Sequence, residues 1–208
     1  MQLLEIAASP RFNGSTSRTL LEKFVSAWQQ HNPNVKIARH DIGQTPPAHP
    51  SQQVIEASFV PADARDDAMQ ACLAPSEQCI DEFMAASHIV IATPMHNYGV
   101  PSTLKAYIDN LVRNQRTFSV DPQTYAMQGL AVNKKALLII SSGQDYPAGS
   151  EAEKLDFCAP YLQAILGFIG IEDIEVVRAS NQAVPAPVST DAVEAASTAL
   201  AALAQRWT

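Results

Sequence analysis

Hydrophobic residues are distributed along this chain in two rhythms. Four short runs are apolar at nearly every position: Leu3 to Ala8, Ile89 to Thr93, Ala136 to Ile140 and Ile174 to Val177. Such runs lack the in–out alternation of a half-exposed strand, so each is predicted to be a strand covered on both faces. A fifth segment, Val35 to His40, is less apolar and suits a sheet edge. The second rhythm has a helical period. After Pro101, the residues Leu104, Tyr107, Ile108, Leu111 and Val112 fall on one stripe, with the proline at a favoured first position. Leu20, Leu21, Phe24, Val25 and Trp28 form another stripe, and Leu155, Cys158, Leu162, Ile165, Leu166 and Ile169 a third. The alanine- and leucine-rich stretch from Asp191 is predicted to be a last helix, capped by that aspartate or by Thr190.

Strand and helix alternate, which predicts one α/β domain over residues 1–208: a doubly wound, five-stranded parallel sheet with helices on both faces. Two connections, Gly43 to about Pro61 and Asn114 to Lys134, exceed the usual length and are expected to be loops with a functional part. In sheets of this kind ligands bind beyond the carboxyl ends of the strands, where strand order reverses. Attention therefore falls on "SPRFNGSTSR" after the first strand, "PMHNYGVP" after the third and "SSGQDYPAG" after the fourth.

The first of these places Ser9, Gly14, Ser15, Thr16 and Ser17 ahead of a helix expected to begin near Arg18. Hydroxyls and unpaired amides at a helix start favour an anion. One serine could serve merely as the cap, but three hydroxyl residues in a row exceed what capping needs. Neither G-x-x-x-x-G-K-[ST] nor G-x-G-x-x-G occurs, so the anion is expected to be a monophosphate held mainly by neutral donors. In the second loop Pro94 ends the apolar run. Met95 and Tyr98 then offer apolar contact to a flat ring, and Asn97 and the loop amides offer hydrogen bonds, while Gly99 and Pro101 shape the turn. Taken alone, His96 reads as a polar residue at a strand end rather than a catalyst. In the third loop Ser141, Ser142 and Gly143 permit close backbone approach to a ring edge, and Gln144 adds an amide.

Composition narrows the partners. A net charge of -7 with no Lys/Arg stripe disfavours nucleic acid. No run approaches the roughly 20 apolar residues of a membrane helix, and no basic region precedes a secretory core, so the protein is expected in the cytoplasm. Cys72, Cys79 and Cys158 have no C-x-x-C spacing and read as buried free thiols. There is no G-x-S-x-G elbow, and His31, His40, His49, His88 and His96 show no metal-ligand spacing. A shaped pocket without an evident acid–base set is what a cofactor-carried reaction requires.

The stretches "PMHNYGVPSTLKAYID", "KKALLIISSGQ" and "PYLQAILGFIGIEDIEVV", with "SPR" and "STS" near the start, closely resemble the FMN-dependent NADH azoreductases, also described as NADH:quinone oxidoreductases, of the flavodoxin-like superfamily. The likeness spans about Met1 to Ser180. It implies a flavodoxin-like fold, a homodimer with tightly bound FMN near the subunit interface, NADH as donor, and quinones or azo compounds as acceptors. Hydride would be carried by flavin N5, with no side-chain nucleophile. By resemblance, Ser9, Ser15, Thr16 and Ser17 match phosphate-binding positions, Pro94 to Tyr98 the flavin-ring loop, and Ser141 to Gln144 the second ring loop. Relatives commonly carry S-R-G-G in that last loop, so Ser142 and Gln144 depart from the pattern, as does His96, which replaces a common aromatic. The rival classes are a flavodoxin-like electron carrier, which would bind FMN without a substrate site of its own, and an FMN-free regulatory or scaffold module in which the three loops are remnants.

Overall fold

The computed structural model describes residues 1–207. Its central sheet is parallel throughout, with strand order β2-β1-β3-β6-β7. The strands are β1 (Gln2–Ala7), β2 (Lys36–His40), β3 (His88–Pro94), β6 (Lys135–Ser141) and β7 (Asp173–Ala179). All five predicted strands are present, and the least apolar, β2, does lie at an edge.

Alternate residues along each strand sort into two cores, which is why the central strands are apolar at consecutive positions. Leu4 pairs with Ile89, Ile89 with Ala136, and Ala136 with Ile174, forming a row across the sheet on one face. That face is covered by α3 (Asp67–Ala85), α4 (Ser102–Leu111) and α5 (Ala159–Phe168), through residues such as Ile80, Phe83, Leu104 and Leu162. Leu3, Val90, Leu137 and Ile139 face the other way, toward α1 (Thr16–His31) and α6 (Val188–Arg206). There α6 lies on α1. The Trp28 indole N–H donates to the Trp207 carbonyl at 2.7 Å, and Trp207 meets Phe24 edge-on at 5.6 Å. Each such fully buried side chain contributes about 2–3 kcal/mol of transfer free energy.

Several sequence expectations are corrected. The stretch from Gly43 to Pro61 is not all loop: Ser51 accepts from the Val54 amide and starts α2 (Gln52–Phe59). Within Asn114 to Lys134 a hairpin forms from β4 (Phe118–Val120) and β5 (Met127–Gly129). It is seated by backbone contact, because a Cβ on Gly129 would lie 2.3 Å from the Gly170 nitrogen. The helix α3, with Pro75 inside it, has no counterpart among the expected elements. The last helix begins at Val188, earlier than expected, and has no side-chain cap; the Thr190 hydroxyl donates back to the Pro187 carbonyl instead. Leu155 lies in a separate short turn ahead of α5. Of the predicted α4 stripe, Leu104, Tyr107, Ile108 and Leu111 are buried, while Val112, just past the helix end, is half-buried. The cysteines are free, but only Cys158 is fully buried. Among the described residues no helix is long and apolar enough to cross a membrane.

Candidate active site

Strand order runs outward from β1 to β2 and then returns to β3, so the connections leaving β1 and β3 diverge and open a crevice between them. Register brings the neighbouring loops to the same end, since Pro94 pairs with Ser141 and Ser141 with Ala179.

The connection after β1 is tightly built. Ser15 is the N-cap of α1, accepting from the Arg18 amide, and its hydroxyl lies 3.3 Å from that of Ser17. Ser9, Ser15 and Ser17 are buried, Ser17 completely at 0% exposure. The Ser9 hydroxyl accepts from the Arg11 amide, while the Thr16 hydroxyl donates to Gln182 Oε1 at 2.9 Å. The amides of Thr16 and Ser17 meet no acceptor among the described residues, as in the first turn of any helix, and such amides can receive an anion. Arg11 supplies nearby positive charge; its guanidinium lies 3.2 Å from where a Cβ on Gly14 would sit.

Beneath this loop lies a clamp. Arg18 donates from Nη2 to the Ser9 carbonyl at 2.6 Å and makes a two-pronged pair with Asp41, at 2.5 and 2.7 Å. The hydrogen bond from Arg18 holds the Asp41 carboxyl below the usual aspartate range, and the Gln44 amide adds to the effect. Gly43 is needed beside it, because a Cβ there would stand 2.0 Å from the Ser9 oxygen.

After β3 the chain makes a tight reversal. His96 and Gly99 exchange both backbone hydrogen bonds, at 2.9 and 3.0 Å, with Asn97 at φ 49° and Tyr98 at φ 68° between them. Two positive-φ central residues make a type I′ turn, so the left-handed backbone falls on Asn97 and Tyr98, ahead of Gly99. Such residues are strained by about 1–3 kcal/mol each and persist where the surroundings enforce them. The enforcement is visible: the Met95 amide donates to the Ser141 carbonyl at 2.7 Å and the Phe157 amide to the Tyr98 carbonyl at 2.9 Å. Met95 packs on the core, and His96, Asn97 and Tyr98 face outward. The Tyr98 ring meets Tyr146, from the loop after β6, edge-on at 6.5 Å.

In that loop the Ser142 hydroxyl donates to the Gln144 carbonyl at 2.7 Å, turning the chain so that the amides of Gly143 and Gln144 are left without acceptors among the described residues. Ser141 and Ser142 are buried, while Gly143 and Gln144 are exposed. The segment after β7, which sequence reasoning passed over, ties the rest together. The Gln182 amide donates to the Ser142 carbonyl, and its side-chain oxygen receives the Thr16 hydroxyl. Neither Gln182 nor the Arg18–Asp41 pair carries a motif signal, because each acts across a long sequence separation. The expected residues Ser9, Ser15 to Ser17, Pro94 to Tyr98 and Ser141 to Gln144 thus lie in or beside the connections at the carboxyl ends of β1, β3 and β6, although the Thr16 hydroxyl and the Ser17 side chain are already engaged or enclosed. No cluster of three metal-ligating side chains occurs among the described residues.

A helix start with unpaired amides, and a shelf edged with free amides and aromatic rings, stand at the carboxyl ends of the strands of a doubly wound sheet, the end where such folds place their ligands. The chain belongs to a family described as having a flavodoxin-like fold, whose model matches residues 1–203. The FMN-dependent NADH:quinone oxidoreductase of Nostoc punctiforme is 41% identical over 181 residues, covering 87% of each protein. FMN-dependent NADH:quinone oxidoreductase 1 of Trichormus variabilis is 38% identical over 207 residues, covering 100% of this chain and 97% of that one. An FMN-dependent NADH-azoreductase from Bacillus anthracis, solved in complex with FMN, superposes with a TM-score of 0.89 at 25% identity, covering 100% of this chain and 99% of that one.

Proposed function

We propose that this chain is an FMN-dependent NADH oxidoreductase that reduces quinones and azo compounds by two-electron transfer. The observation that carries the reading is the presence of unpaired amides in two connections at the carboxyl end of the sheet: Thr16 and Ser17 at the helix start, Gly143 and Gln144 at the shelf edge. The first pair suits a phosphate and the second the polar edge of a ring, and together they fit FMN. When bound, FMN would accept and donate the hydride.

The residues of this chain supply position. The α1 start, with Ser9 and Ser15 beside it and Arg11 over it, holds the phosphate end. Met95 and Asn97 support the ring, and Tyr98 with Tyr146 borders the open side where a flat substrate lies. Pro94 and Ser141 fix the shelf by joining β3 to β6, while Ser142 fixes the turn through Gln144. Restricting the substrate's orientation is the main lever available to such a site. Two-substrate names among the relatives, pairing NADH with a quinone, favour this reading over that of a one-electron carrier.

A single shelf must serve donor and acceptor in turn. Double-reciprocal plots of NADH oxidation at several quinone concentrations are therefore expected to be parallel, and each substrate in excess should inhibit. Intersecting lines would instead mean two separate sites and would overturn the alternating scheme.

The protein works as a homodimer in this reading. The support comes from large apolar side chains left in water, Phe12 at 73%, Tyr125 at 78% and Phe157 at 60% exposure. Light scattering should give twice 22.5 kDa at micromolar concentration. A fully active 22.5 kDa species would rule the dimer out. A cytoplasmic location suits the three free thiols, and recovery from an oxidising compartment on cell fractionation would contradict it.

A further inference from the structure

Among the described residues, the left-handed pair Asn97–Tyr98 makes one backbone hydrogen bond of its own, in which the Tyr98 carbonyl accepts from the Phe157 amide. What aims that amide is the segment from Asp156 to Ala159, just ahead of α5. The Asp156 amide donates to the Glu153 carbonyl at 2.9 Å, and those of Cys158 and Ala159 donate to Asp156 Oδ1 at 2.9 and 3.1 Å. Only the Phe157 amide leaves the segment, toward Tyr98. Cys158 and Ala159 are buried in the core, so the segment cannot slide outward without opening it.

The residue at the centre of this arrangement is a charge in an enclosed place. The Asp156 side chain is 4% exposed, and a carboxylate so enclosed is costly unless it is paired. Arg178 supplies the counter-charge: its Nη2 donates to Asp156 Oδ2 at 2.6 Å, leaving Oδ1 for the two amides. Arg178 lies on β7 opposite Ile140 of β6, so the pair fastens the segment to the sheet itself. One carboxylate thus relays the position of a strand to an amide, and through that amide to Tyr98. Its bond to Arg178 is charge-assisted, the strong kind of hydrogen bond, which suits it to hold backbone that would otherwise relax.

We propose that Asp156 is a positioning residue for the acceptor, acting through the Phe157 amide on the Asn97–Tyr98 turn, with Arg178 holding it in place. What the turn does for a substrate rests on the oxidoreductase reading; the mechanical link does not.

The test compares purified wild-type protein with Asp156→Asn, Arg178→Met and Arg178→Lys. Asparagine can keep the acceptor for both amides but presents an N–H group to Arg178. Exchange of the Phe157 amide, followed by NMR, is expected to quicken about tenfold or more in Asp156→Asn and Arg178→Met, while the amides of α1 stay protected. In the same two proteins quinone KM should rise about five- to tenfold with kcat within about twofold of wild type, because a displaced turn loses contact that ground state and transition state share. Arg178→Lys, which preserves the charge, should keep most of the wild-type KM. Arg178→Met carries the same comparison should Asp156→Asn fail to fold. Unchanged Phe157 exchange would overturn the link, and faster exchange with a wild-type KM would overturn the positioning role. A fall in kcat and Tm at constant KM would also overturn it, by showing that the pair merely stabilises α5. Wild-type protein that oxidises no NADH with quinone would instead refute the oxidoreductase reading. The link would then stand or fall on the Phe157 exchange and on displacement of the Tyr98 ring signals in the same spectra.

Discussion

Between Ser9 and Ser17 the serines are buried and hydrogen-bonded, and the loop is clamped from below by Arg18 and Asp41. Between Met95 and Gly99 three of the side chains face solvent, and the backbone is held in a conformation that non-glycine residues rarely adopt. The two segments follow the neighbouring parallel strands β1 and β3 at the same end of the sheet. The first is tied down internally, which in the proposed reading lowers the ordering cost of gripping the phosphate. The second leaves His96, Asn97 and Tyr98 exposed, which in the proposed reading suits a surface where substrates exchange.

If that contrast is right, damage to the clamp should be the most costly. Gly43→Ala puts a Cβ 2.0 Å from the Ser9 oxygen and 2.9 Å from Arg18 Nη2. The expected loss is about 2–3 kcal/mol in urea unfolding, together with weakened FMN retention. A change below about 0.5 kcal/mol, the range of a neutral surface substitution, would mean the loop yields freely and is not prefinished.

Next in size is Ser17→Asp, which sets like charge against the phosphate. FMN affinity by fluorescence titration should drop about tenfold or more, a difference of about 1.4 kcal/mol. Ser17→Ala, which loses only the contact with Ser15, should retain most of it. Equal affinity for Ser17→Asp and wild type would remove the phosphate from this loop.

The smallest expected effect on stability is at the opposite end. In Tyr98→Gly, relief of the positive φ, worth about 1 kcal/mol, offsets loss of a half-exposed ring, so net stability should move by less than about 0.5 kcal/mol. KM for the acceptor should rise several-fold all the same. A stability loss above about 1.5 kcal/mol would show that the ring is structural and the shelf as finished as the clamp.

How much of this could be read from sequence depended on whether the signal was local. The strands were legible because a sheet covered on both faces demands consecutive apolar residues, and Ile89 to Ala92 or Ala136 to Ile140 can hardly be anything else. By contrast α3 was hidden, since its buried face alternates Leu73, Ile80 and Phe83 with a serine, and Pro75 lies in its middle. Ser76 fits there because its hydroxyl donates to the Asn110 carbonyl on α4 and accepts from Arg113. The hairpin was equally hidden, because it depends on Gly129 meeting Gly170 rather than on any alternation of its own. In the site, hydroxyl and ring loops were visible as composition. Which of their atoms remain free was not, because that is decided by distant partners such as Gln182 and Asp41.

The covering of α1 by α6 has a consequence for how the protein is made. Synthesis proceeds from the amino end, so α1 leaves the ribosome well before the segment that will pack on it. At about 5–20 residues per second, its apolar side waits on the order of ten seconds for α6 and Trp207 to emerge. Until then Leu21, Phe24 and Trp28 lack part of the core they join in the finished protein. A nascent chain stalled before α6 therefore presents a greasy helix to the translation apparatus, and it is there, rather than in the completed enzyme, that this protein is most in need of a chaperone.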